Sequence, residues 1–279
     1  MTLDLSRSTD LEINLAATVL RELDAVASRT GVDFLVVGAT ARNMLAHSIT
    51  GATPERATHD VDIAVGVADW DEVWQLGSMF GAQDRHSHRI AIGGIPVDII
   101  PCGAIEAADR TVAWPGDFTM NTLGFREAFG SAETVLLPGQ LVVRIPSIAA
   151  QVLLKLVAWF DRHWTSTKDA VDLRTMLEWS DTAQLLEELY ESHFGLVEMY
   201  DYDTALAGAH RIGNAIAALL GVPELAQVRA MVQDPPLQVR LARDMRGVFD
   251  RSHERLIALT RGIGEREPRL STDSGTSDR

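Results

Sequence analysis

Asp60 and Asp62 stand two residues apart in a stretch, 60–67 (Asp-Val-Asp-Ile-Ala-Val-Gly-Val), whose residues alternate as in a half-buried strand. Side chains at i and i+2 share one face of a strand. Two like charges so placed raise each other's pKa and weaken the sheet unless something positive lies between them. Asp98 is a third acid, set inside the apolar run Ile95-Pro96-Val97-Asp98-Ile99-Ile100, where a carboxylate without a partner is costly to bury. If the strand at 95–100 pairs beside the one at 60–67, all three converge. Three oxygen donors of this kind suit a hard divalent cation, Mg²⁺ or Mn²⁺. Taken singly, each acid has a plainer reading: a solvent-facing pair for Asp60 and Asp62, an arginine salt bridge for Asp98.

A second group of residues gives the acids a partner chemistry. Gly38-Ala39-Thr40 closes the apolar strand 32–37 and opens a helix. A small-residue turn at a helix N-terminus lets backbone N–H groups approach phosphate oxygens. A phosphate cradle on one strand and paired acids on the next describe an enzyme that handles a nucleoside triphosphate (NTP). Arg42 either reaches that triphosphate or is a solvated helix residue. Lys155 lies among Val152, Leu153, Leu154, Leu156 and Val157; it either snorkels to the surface or meets phosphates as a point charge. Asp169 and Asp172 share one helical face. Asp169 is either a first-turn acid favouring the helix dipole, paired with Arg162 or Lys168, or part of a site.

The elements that must position these groups follow from periodicity and punctuation. Residues 10–29 read as an amphipathic helix with Leu11, Leu15, Leu20, Leu23 and Val26 on its apolar side, ended by Gly31. Helices follow at 40–47 and, capped by Asp69, at 70–80. The loop 50–59 carries Arg56 and His59. Strands at 88–92 and 95–100 form a hairpin through Gly93-Gly94, and a further strand pair falls at 133–137 and 141–145. After Pro146 the pattern turns helical, with Ser147 capping a helix to about 160. Further helices are expected at 168–179, 182–191, 201–220, 223–232 and 236–262. The fold class is therefore α+β: a mixed sheet with flanking helices over 1–146, a helical domain over 147–262, and a polar tail, 263–279, expected to be disordered.

Composition sets the outer limits. The 279 residues are 46% apolar with mean hydropathy +0.03, enough for one large or two small domains of roughly 100–200 residues. No apolar run approaches the ~20 residues of a membrane span, and the N-terminus lacks a basic stretch before an apolar one, so neither a membrane protein nor a signal peptide is expected. The single cysteine, Cys102, excludes an internal disulfide and reads as a small buried filler; a cytoplasmic home is expected. A net charge of −14 argues against binding nucleic acid through the overall field. Two basic patches stand out locally: Arg85-His86-Ser87-His88-Arg89, and a stretch carrying Arg240, Arg243, Arg246, Arg251, Arg255 and Arg261. Trp159, Trp164 and Trp179 are expected in an interdomain core.

The turn Gly38-Ala39, the strand Asp60-Val61-Asp62 and the later Asp98 resemble the nucleotidyltransferase superfamily of the DNA polymerase beta type. Ala39 stands where that pattern has Gly or Ser. The segment Lys155-Leu-Val-Ala158-Trp-Phe-Asp161-Arg162, followed by Lys168-Asp169-Ala-Val-Asp172-Leu173, resembles the signature of the AbiEii-type nucleotidyltransferases, toxin components of type IV toxin–antitoxin systems; with the triad the resemblance spans about 33–176. A weaker likeness joins 116–123 (Gly-Asp-Phe-Thr-Met-Asn-Thr-Leu) to a motif of CCA-adding enzymes, without its usual preceding arginine pair. The resemblance implies metal-dependent transfer of NMP from an NTP to an acceptor. Asp60, Asp62 and Asp98 would hold the metal. Gly38, Ala39, Thr40, Arg42, Lys155 and Asp169 would face the nucleotide, and Asp172 would be an essential acid. It further implies an RNA acceptor such as a tRNA 3′ end, and a cognate antitoxin. Transfer to a small molecule of the aminoglycoside kind, and a non-catalytic nucleotide-binding module, are the alternatives.

Overall fold

A computed structural model describes residues 2–51, 60–85, 87–114, 118–246 and 251–265. The expectations for Arg56, His59, His86, residues 115–117 and the tail from 266 lie outside these. The chain divides into two compact units at Asp161/Arg162.

In the first unit, β1 (Thr2–Asp4) leads to α1 (Leu11–Thr30). Asp10 starts this helix by accepting the N–H groups of Glu12 and Ile13, and Gly31 ends it with φ 73°, a left-handed conformation glycine adopts without strain. Then come β2 (Asp33–Val37), α2 (Gly38–Thr50), β3 (Val61–Gly66), α3 (Trp70–Ser78), β4 (Arg89–Ile92), β5 (Ile95–Cys102), β6 (Thr111–Trp114), β7 (Phe118–Asn121), α4 (Phe125–Gly130), β8 (Glu133–Leu137), β9 (Leu141–Ile145) and α5 (Ile148–Arg162). The central sheet runs β2-β3-β5-β4; β3 and β5 are parallel and the outer pairs antiparallel. The pairs β8/β9 and β4/β5 fall where alternation and turn residues place them. Gly93 and Gly94, with φ 57° and 82°, close the β4–β5 hairpin in the two-residue turn whose twist suits antiparallel strands. A second sheet, β1-β8-β9, and the β6/β7 hairpin complete this unit.

Three expectations change here. Leu11 and Leu15 are 86% and 45% exposed, while Ile13, Ala16, Ala17, Val19, Leu20, Leu23, Val26 and Ala27 are buried; the apolar stripe includes the alanines and leaves out Leu11 and Leu15. The β6/β7 hairpin and α4 are additions, too short to show a period. The division falls after α5 rather than at 146/147. Leu153 and Leu154 of α5 pack so closely on Gly124 that any side chain there would crowd them, which ties the helix to the first unit.

The second unit is helical throughout its described residues: α6 (Lys168–Glu178), a 3-10 turn (Trp179–Asp181), α7 (Ala183–Ser192), α8 (Phe194–Met199), α9 (Thr204–Leu219), α10 (Val222–Val232), α11 (Pro235–Asp244) and α12 (Ser252–Glu265). Pro235 and Pro236 open α11, where a missing N–H costs nothing. The single helix expected over 236–262 is thus two helices, and the final turn of α12 takes in residues expected in the tail. Gly213 and Gly262 line the crossing of α9 and α12; a Cβ on either would strike the opposite backbone. Trp159 and Trp179 are buried as expected, but Trp164 is 69% exposed, lying beyond the last turn of α5.

Candidate active site

The parallel register of β3 and β5 sets Asp62 directly against Asp98. Partners in register project from the same side of the sheet, so the two carboxylates face one space. Asp60 immediately precedes β3. Burial is the largest influence on Asp62, followed by the charges of Asp60 and then Asp98; together they push its carboxyl up to about 6. Lys155 on α5 and the Ala39 backbone N–H oppose this rise. Five of the expected residues, Ala39, Asp60, Asp62, Asp98 and Lys155, therefore act on one another.

Gly38 belongs to the same place for a steric reason. Its φ is 63°, and a Cβ there would overlap the Asp62 carboxylate. The strand-to-helix turn thus brings its backbone against the acid, and the Ala39 N–H expected to face phosphate faces Asp62. Thr40 is buried, and its hydroxyl donates to the Asp60 carbonyl at 3.4 Å. Arg42 is also buried; its Nε and Nη2 donate to Asn43 Oδ1 at 3.1 and 2.7 Å, and Asn43 Nδ2 donates to Glu12 Oε2 at 2.8 Å. The structure thus gives Thr40 and Arg42 bracing roles behind the turn. Sequence alone does not reveal which face of a one-helix segment turns inward. A small pocket beside Asp60 is lined by Glu12, Leu15, Thr40, Asn43 and Ile95 among others.

Arg89 is the site residue the motif reading missed. It is the β4 register partner of Asp98. Its Nε and Nη2 donate to the two Asp98 oxygens at 2.5 and 2.6 Å, and its Nη2 lies 3.9 Å from Asp60 Oδ2. The bond to Asp98 leads the influences that raise the guanidinium's pKa. The sequence signals were a basic cluster opposite an acid across a short hairpin and the plainer reading of Asp98 as salt-bridged to an arginine, which is the arrangement found. Arg85 from the same cluster pairs with Asp71.

The donor set, three carboxylates with an excess of negative charge, has the chemistry to hold a hard divalent cation. Among the described residues, however, no three His, Cys, Asp or Glu side chains gather as a ready metal group. In this arrangement Arg89 occupies both oxygens of Asp98. In the second unit Asp169 and Asp172 are both buried. Asp169 accepts two bonds from Arg162, at 2.6 and 2.9 Å, the plainer of its two sequence readings. Cys102 is buried as expected; burial pushes its thiol up to about 12.

No family model and no curated protein matches the chain. Solved structures similar to it include the antibiotic-resistance factor ANT(2'')-Ia in solution, at 15% identity, covering 68% of this chain and 98% of that one with a TM-score of 0.36. The complex of ANT(2'')-Ia with adenylyl-2''-tobramycin matches at 16% identity over 61% and 89%, TM-score 0.37. The Thermotoga maritima CCA-adding enzyme complexed with tRNA matches at 12% identity over 92% and 82%, TM-score 0.26. No helix among the described residues is long and apolar enough to cross a membrane.

Proposed function

We propose that this chain is a nucleotidyltransferase that moves NMP from an NTP to an acceptor and releases pyrophosphate. The observation that carries the reading is the in-register pair Asp62–Asp98, coupled to Asp60 and packed against the Gly38-Ala39 turn. Asp60, Asp62 and Asp98 would hold Mg²⁺ or Mn²⁺. Such an ion, when bound, lowers the pKa of an attacking hydroxyl and balances charge on the phosphates. Asp98, once released by Arg89, would accept the acceptor's proton. Lys155 balances Asp62 and supplies positive charge on the same side. Gly38 leaves room for the Asp62 carboxylate against the turn, beside which the triphosphate would lie.

The AbiEii-like signature at Lys155–Arg162 and Lys168–Leu173 supports an RNA acceptor, a tRNA 3′ end, and a toxin's role opposed by an antitoxin. Asp169 is engaged by Arg162, and Asp172 is the acid of that helix that the resemblance makes essential. A small cationic acceptor of the aminoglycoside kind is the second reading, favoured by the net charge of −14. The experiment is incubation of the full chain with each labelled NTP, Mg²⁺, and either total tRNA or aminoglycosides. Label on RNA alone supports the first reading, and label on the drug alone the second. Transfer that survives Asp60→Asn with Asp62→Asn removes the assignment altogether.

A further inference from the structure

Three carboxylates facing one space need a cation, and the structure contains one already. Arg89 meets Asp98 through both oxygens and reaches toward Asp60. We infer that Arg89 is a resident counter-cation of the acidic cluster, alongside Lys155, and that a divalent ion reaches Asp60 and Asp98 only by displacing the Arg89 guanidinium. The inference rests on the reading of these acids as the active site and adds how that site is kept before it is loaded.

Three features carry it. The pairing is set by strand register, not by a chance meeting of long side chains: Arg89 and Asp98 are direct partners across β4 and β5. A two-point grip uses both Asp98 oxygens, the atoms a metal would need. The guanidinium is also able to leave, since the Arg89 side chain is 54% exposed and stands on a sheet-edge strand. An arginine anchored at one end with its stem in solvent swings away without disturbing the core. A divalent ion brings more charge to the same oxygens in a smaller radius, so it competes effectively once present. Until then Arg89 holds the Asp98 carboxylate in place through both oxygens.

The test is Mn²⁺ binding to the full chain without nucleotide, followed by electron paramagnetic resonance. Removing the competitor in Arg89→Ala and Arg89→Gln is expected to tighten Mn²⁺ by about tenfold or more, the scale of one charge-assisted bond. Arg89→Lys, which keeps a charge but loses the fork, is expected to fall between these and wild type. Arg85→Ala removes a nearby cation paired elsewhere and is expected to leave affinity within about twofold, since exposed pairs contribute little. Equal or weaker Mn²⁺ affinity in folded Arg89→Ala and Arg89→Gln overturns the displacement while leaving the acids as metal ligands. A tightening of the same size in Arg85→Ala overturns it too, by showing a general field effect. Absence of Mn²⁺ binding in wild type and every variant overturns this inference together with the metal reading of the site.

Discussion

The first unit contains two clusters of arginine and carboxylate, and they differ in kind. In one, Arg110 donates to Glu106 at 2.6 Å and to both oxygens of Glu127 at 2.9 and 3.1 Å, with all three side chains at most 8% exposed. In the other, Arg89, Asp98 and Asp60 are 54%, 21% and 42% exposed, and Asp62 is left with a carboxyl lifted toward neutrality. In the buried cluster Arg126 also reaches Glu106, at 3.5 Å, so two arginines meet two glutamates. The exposed one sets three aspartates against Arg89 and Lys155, is open to solvent, and lies beside a glycine that tolerates no side chain. Buried, balanced charge holds a fold together; open charge with acid in excess is where a ligand adds something. The contrast separates structure from chemistry more sharply than any single motif does.

The contrast can be broken most directly at the acids. Asp60→Asn with Asp62→Asn is expected to lower NMP transfer by at least ~10³-fold, the scale of lost electrostatic stabilisation at a reacting centre, with the fold intact by circular dichroism. Arg110→Ala should do the reverse. Leaving Glu127 buried without the Arg110 guanidinium, and Glu106 with Arg126 alone, costs about 3–5 kcal/mol, read as a large fall in the denaturation midpoint, while the protein that remains folded keeps its transfer rate.

Asp62→Asn alone sharpens the picture through pH. A carboxyl raised from the ordinary 3.8 to about 6 favours the fold fully below pH ~4, and that contribution is lost as pH rises through 6. Without metal, Asp62→Asn should therefore be more stable than wild type at pH 8, by at most about 3 kcal/mol. The gap should close between pH 6 and 4, as thermal melts in chelator would show; a pH-independent gap would mean Asp62 is not strained. Gly38→Ala is the smallest change, destabilising by roughly 1–3 kcal/mol through its backbone conformation and the clash with Asp62. Pairing it with Asp62→Gly should recover part of that loss.

Much of this was legible in the chain. The acids announce themselves because strand alternation puts Asp60 and Asp62 on one face and because Asp98 interrupts an apolar run. The hairpin at Gly93-Gly94 and the strands at 133–137 and 141–145 follow from turn chemistry. Arg89 was not legible as a site residue, since its partner depends on register, a property of two strands rather than one. Thr40 and Arg42 were read outward because their spacing says nothing of which helix face is covered. Trp164 was read inward on composition alone, yet it follows the end of α5, where no further turn remains to cover it. The divided α11 and α12 read as one helix because periodicity continues across the interruption.

The β4–β5 turn has a consequence beyond closing a hairpin. Two glycines, and only two, separate Ile92 from Ile95, and that count works as a ruler. One residue more or fewer would slide β4 along its neighbour and swing Arg89 to the far side of the sheet, while Asp60, Asp62 and Asp98 stayed where they are. Insertions at this tip should thus change the charge balance around the three acids without altering any of them.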